Sequence, residues 1–210
     1  MKKVIWSFSL LVMALFLSCR EDDADRFFSG QNDKLIINFS VQDPTSGLAT
    51  RSAIAPEAGE ENVKTLDLFF FESNSTGTGT FKGLKELIAT PENPLVMNTD
   101  MVFDFSDIGL SMTEPYDILI VANMGDNYLP TDGSQTLADW KSVIQRKNYK
   151  EAKAEIQVFM SGTDTNVPEY TTKPLESDAL LMSASLKKGK QDTKLKAVLQ
   201  RAVSRFDIYN

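Results

Sequence analysis

The sequence of 210 residues contains no histidine and only one cysteine. Without histidine, Ser-His-Asp and Cys-His nucleophilic catalysis are excluded, as are the usual His-containing zinc sites. One cysteine cannot close an intrachain disulfide. A basic excess is also missing: 22 Lys+Arg against 29 Asp+Glu gives a net charge of −7, and the lysines are scattered. Nucleic acid is therefore not an expected partner, since neutralising phosphates requires a clustered basic face. No paired-carboxylate motif can be placed. The loop "MGDNYLPTDGS" gathers Asp126, Asn127 and Asp132 but lacks the alternating carboxylates of a calcium loop. The chain is not expected to be an enzyme, to hold a metal or to need a cofactor.

What is present starts at the N-terminus. "MKKVIWSFSLLVMALFLSC" opens with Lys2 and Lys3 and runs apolar from Val4 to Leu17, broken by Trp6, Ser7 and Ser9. A basic start before a short apolar core reads as a secretory signal, residues 1–18, too short for a comfortable membrane span. Ser18 precedes the only cysteine, Cys19, and "FLSC" resembles the bacterial lipobox. That resemblance makes Cys19 the lipid-attachment residue, with several acyl chains giving a stable anchor where one would be marginal. Residues 19–33 then read as a polar tether, and its acidic "REDDAD" resembles the export tag of surface lipoproteins in Bacteroidetes.

With 42% apolar residues, the remainder is a globular chain of ordinary domain size. "KLIINFSV" (34–41) alternates, so Leu35, Ile37, Phe39 and Val41 share one face of a strand, with Asn38 and Ser40 on the other. "QDPTSG" breaks it, and the polar connection that follows contains "GLATRSAIAPE" (47–57) with the isolated Arg51. "VKTLDLFFFES" (63–73) and "YDILIVANMGDN" (116–127) read as buried strands covered on both faces. Between them, "FKGLKELIAT" and "LVMNTDMVFDF" read as further strands. Leu137, Trp140, Val143 and Ile144 recur at helical spacing behind Ser134 or Thr136 as caps, giving one short helix. "AEIQVFMSG", "ALLMSASLKKG" and "LKAVLQRAVSRFDIYN" read as later strands, with Lys187, Lys188 and Lys190 in a solvated hairpin turn. Short strands at regular spacing argue for an antiparallel sandwich. "SRFDIY" has the pattern of a strand in progress, and the chain is expected to be the first part of a longer protein.

The order of these elements resembles the fimbrillins, the type V pilins of Bacteroidia, which include the major fimbrillin and the Mfa-type fimbrial subunits. The resemblance rests on Cys19, the alternating strand Leu35–Val41, Arg51 in the loop after it, and "IVANMG" (120–125). It also rests on the helix "TLADWKSVI" (136–144), on "FMSG" (159–162) or "LLMSAS" (180–185), and on Arg201 and Arg205 in "QRAVSRFDI". It implies a mainly β, antiparallel transthyretin-like sandwich of about seven strands with one short helix over residues 34–210. The resemblance covers only the first of the family's two sandwich domains.

The resemblance also implies a mechanism. A trypsin-like, Arg-specific surface protease would cut between Arg51 and Ser52 and free the first strand (34–51), and a neighbouring subunit's strand would take its place. The partners implied are other fimbrial subunits through donor-strand exchange, the protease, and the outer membrane through the lipid on Cys19. The expected place is the outer-membrane surface, and the fimbrium after processing. Two competing accounts are an anchor that keeps both lipid and first strand, and a surface glycan-binding lipoprotein. The glycan reading would need an exposed aromatic platform, which neither Trp6 in the signal nor Trp140 on the apolar helix face offers.

Overall fold

Leu66–Phe71 is apolar at every position but Asp67, and Ile118–Ala122 is apolar throughout. Such runs are stable only where both faces are covered, and they form the middle of the sheet. In the computed structural model, residues 33–42, 62–125, 128–129, 133–161 and 179–201 are described. The chain divides into two units, Met1–Asp33 and Lys34–Asn210. Of the first, only Asp33 is among the described residues.

The described residues of the second unit form seven strands: β1 (Lys34–Val41), β2 (Thr65–Glu72), β3 (Phe81–Ile88), β4 (Asp100–Asp104), β5 (Tyr116–Ala122), β6 (Met182–Lys188) and β7 (Lys194–Arg201). Two helices, α1 (Leu137–Arg146) and α2 (Tyr149–Ser161), lie between β5 and β6 in the chain, and a short 3-10 turn spans Ser106–Ile108. The order across the sheet is β3-β2-β5-β6-β7-β1-β4. β6 and β7 pair only through Met182↔Arg201 and Ser183↔Gln200. The sheet curls there, and the β7–β1–β4 layer shares one core with the β3–β2–β5–β6 layer. Leu35, Ile37, Phe39, Phe103 and Leu199 meet Leu68, Phe70, Ile118 and Ile120 in that core. The mainly β, sandwich-like fold expected from the strand spacing is therefore the one formed. Its sheet is mixed rather than wholly antiparallel, because β1 runs parallel to β7. Side-chain alternation fixes which face a residue takes, not the direction of the neighbouring strand.

On the opposite face of β2 and β5, Phe69, Phe71, Leu119 and Val121 pack under the helices against Trp140, Ile144, Ala152 and Ile156. Trp140 meets Phe69 edge-on, with centroids 6.0 Å apart. Helix α1 starts as expected at Thr136, whose side chain accepts from the Asp139 backbone while the Asp139 carboxylate accepts from the Thr136 backbone. Helix α2 replaces the strand expected at "AEIQVFMSG", so the described residues hold two α-helices rather than one. Ala152 and Ile156 are buried one turn apart. Asn148 and Glu151 form a reciprocal cap, with Glu151 N–H donating to Asn148 Oδ1 (3.0 Å) and Asn148 N–H donating to Glu151 Oε2 (3.2 Å). The cap and the four-residue spacing outweigh the strand preference of Ile156, Val158 and Phe159.

Candidate functional site: the first strand and the segments at its ends

Alternation along β1 produces a two-faced strand. Leu35, Ile37 and Phe39 are fully buried, and Val41 is half-buried against the same core at the strand's end. The Phe39 ring meets Phe103 of β4 edge-on at 6.1 Å. The other face is polar. Asn38 Nδ2 donates to Asp100 Oδ1 (3.0 Å), and Lys194 Nζ donates to Asp100 Oδ2 (2.6 Å), so Asp100 ties together β1, β4 and β7. The bonds from Lys194 and Asn38 hold the Asp100 carboxyl below the usual carboxylate range.

β1 lies between two strands of different dependence. It pairs parallel with β7 from Ile36↔Lys194 to Val41↔Leu199, and antiparallel with β4 from Lys34↔Asp104 to Asn38↔Asp100. The ladder continues past both ends, with Ile36 N–H on Thr193 O (2.9 Å), Gln42 N–H on Leu199 O (2.8 Å) and Asn98 N–H on Phe39 O (2.6 Å). Among the described residues β4 has no ladder partner except β1. Without β1, one edge of β7 opens and β4 loses its only backbone pairing.

Residues 43–61, which include Arg51 and Ser52, lie outside the described residues, as does Cys19. The chain is described again from Asn62, and Asn123 meets it there. Asn123 follows directly on β5, is buried, and takes the left-handed conformation at φ 61°, which asparagine tolerates better than most residues. Its Oδ1 accepts from the backbone N–H of Lys64 (2.7 Å) and Thr65 (3.3 Å). Its Nδ2 donates to Asn62 O (2.8 Å) and Leu180 O (2.9 Å). Next to it, Leu181 N–H donates to the Tyr128 hydroxyl (3.0 Å). The "IVANMG" asparagine therefore joins the start of β2, the end of β5 and the approach to β6.

Other sequence-predicted elements are dispersed. "LLMSAS" leads into β6, whereas Met160 and Ser161 of "FMSG" end helix α2. Arg201 closes β7, and Arg205 lies outside the described residues, as do Asp126, Asn127 and Asp132.

Lys188 corrects an expectation. It is not on a solvated turn but is fully buried. In β6 it shares parity with Met182, Ala184 and Leu186, which all reach the inner core, and that parity was readable in "MSASLKK". Its Nζ donates to Met112 O (2.6 Å), Gly189 O (2.9 Å) and Glu114 O (3.2 Å). The Phe105 and Tyr116 rings lie 5.8 and 6.0 Å away. Burial holds this ammonium below the usual 10.5, with Asp192 and Glu114 opposing the shift. Below the folded pKa both states carry the proton. Between that value and 10.5 the unfolded chain binds more protons, so this group's contribution to stability rises with pH there. Lys188→Met is expected to abolish that rise. Urea midpoints of the two proteins across the alkaline range test it, and parallel curves would refute it.

No protein-family model matches the sequence, and no curated protein matches it in a sequence search. Among solved structures, the fold is similar to that of a Parabacteroides distasonis protein provisionally named for cell adhesion. That match has a TM-score of 0.36 and 15% identity, and covers 78% of this chain and 38% of the other. It is also similar to a fimbrial assembly protein of the same organism, with a TM-score of 0.40 and 9% identity over 79% of this chain and 51% of the other. In both cases the match spans less than two thirds of the solved chain.

Proposed function

We propose that this chain is a lipid-anchored cell-surface fimbrial subunit or its precursor, assembled by strand exchange after cleavage at Arg51 and serving adhesion. One observation carries the reading: β1 is an internal strand by pairing, yet it is the first strand of its unit and reaches the rest only through residues 42–62. A single cut in that connection turns β1 into a separate peptide and leaves every other described element covalently intact. The strand stays bound until a neighbour's strand, offering apolar side chains at alternate positions, takes its place between β7 and β4. In this reading the lipid on Cys19 holds the precursor at the outer membrane until an Arg-specific surface protease releases it.

Treating the lipid-free precursor with an Arg-specific protease tests the first step. Mass spectrometry is expected to find one stable core beginning at Ser52, with the fragment ending at Arg51 still associated. Resistance at Arg51, or digestion throughout the chain, overturns the reading.

A further inference from the structure

Strand release poses a problem that the fold must solve. β2 is the first described strand after the cut, so once the chain is open its start is no longer tethered to β1 and is freer to fray. Before the cut the same residues are restrained by the connection to β1, which limits the loop's freedom. We propose that Asn123 is the positioning residue that confines release to β1, by holding the start of β2 independently of that connection. The proposal rests on the reading of β1 as a removable strand.

The geometry is specific to this task. Asn123 uses both side-chain groups, and three of its four bonds go to Asn62, Lys64 and Thr65, the first residues after the segment. The fourth, to Leu180 O, ties that cluster to the approach to β6. The support lies on the part of the sheet that remains when β1 leaves. The backbone also ties this end of β2, through Ala89 N–H on Lys64 O (2.8 Å), Asn123 N–H on Thr65 O (3.0 Å) and a bridge between Val63 and Leu95. These backbone ties lie just at the strand ends, where fraying starts once an end is free. Asn123 adds side-chain bonds to these, and burial keeps water from competing for them.

The test replaces part of residues 47–57 with a long recognition sequence for an unrelated protease, so it does not depend on whether Arg51 is the natural site. Hydrogen exchange by mass spectrometry is read over residues 62–68 before and after cutting. In the parent protein the cut is expected to leave protection unchanged. In Asn123→Ala, protection is expected to fall about tenfold or more on cutting, and by much less in the intact chain. Asn123→Gly, which keeps the left-handed backbone without strain, is expected to behave alike and serves if the alanine variant fails to fold. An equal loss in cut and intact variant would mean a merely structural residue and overturn the proposal. So would a cut parent that loses protection with Asn123 in place. Failure of Arg51 to be cut by its own protease would count against the proposed function and leave this result untouched.

Discussion

A chain beginning at Ser52 is expected to be unfolded by itself at 25 °C, and to fold when a peptide spanning Lys34–Gln42 is added. Leu35, Ile37 and Phe39 are each 0% exposed, with Val41 half-buried beside them. At about 1.5–3 kcal/mol for each fully buried side chain, the three contribute roughly 4–9 kcal/mol as an upper bound. That alone rivals the whole stability of an ordinary domain, about 5–15 kcal/mol. The backbone adds to it: β4 pairs with β1 alone among the described residues, so removing β1 also strips β4 of its ladder. Near-UV circular dichroism of the Ser52 chain, titrated with peptide, measures the effect. Phe39 fills a closed site against Phe103, and truncating a buried phenylalanine costs about 3–5 kcal/mol. A peptide carrying Phe39→Ala should therefore need at least about 100-fold more to give the same signal. A Ser52 chain that is folded and as stable as the full chain would overturn the role given to β1.

Much of this arrangement is written in the sequence, and what is missing has physical reasons. The alternation of β1 and the unbroken apolar runs of β2 and β5 state how many of their faces are buried. Thr136 with Asp139 marks the start of α1. The cap of α2, Asn148 followed three residues later by Glu151, was equally present in "NYKE" but was masked by a strand-like run after it. Lys188 stands among lysines beside a glycine, a composition typical of a solvated turn, although its parity within β6 points inward. The parallel pairing of β1 with β7 could not be read at all, because no local period encodes which distant strand becomes a neighbour. In the sequence Asn123 stands out only as part of "IVANMG". That its side chain makes four bonds to two separate segments depends on where β2 and β6 begin, which is a property of the fold.

The second large effect concerns α1 rather than β1. Asp67 is the one carboxylate in the apolar run of β2, and its side chain is 4% exposed beneath the helix. Lys141 Nζ donates to Asp67 Oδ1 (2.9 Å) and to Glu86 Oε1 on β3 (2.6 Å), fastening α1 across two strands. Burial raises the Asp67 carboxyl above its usual value in spite of the lysine. Burial pulls the Lys141 ammonium down, but its bonds to Glu86 and Asp67 outweigh that and leave it raised. Lys141→Met leaves Asp67 charged, buried and unpaired, and breaking a buried pair from one side costs about 3–5 kcal/mol. Adding Asp67→Asn removes the stranded charge, so the double variant is expected to recover most of the loss.

The pH dependence follows in sign. With Lys141 gone, the folded pKa of Asp67 rises further above the unfolded 3.8, and the folded chain binds more protons than the unfolded one between those values. The variant's deficit should therefore be greatest at neutral pH and shrink as the solution is acidified through the folded pKa. Urea denaturation of the single and double variants at neutral and mildly acidic pH checks both statements. A deficit that does not change with pH, or a double variant as weak as the single, would place the cost in lost packing of α1 instead of the stranded carboxylate.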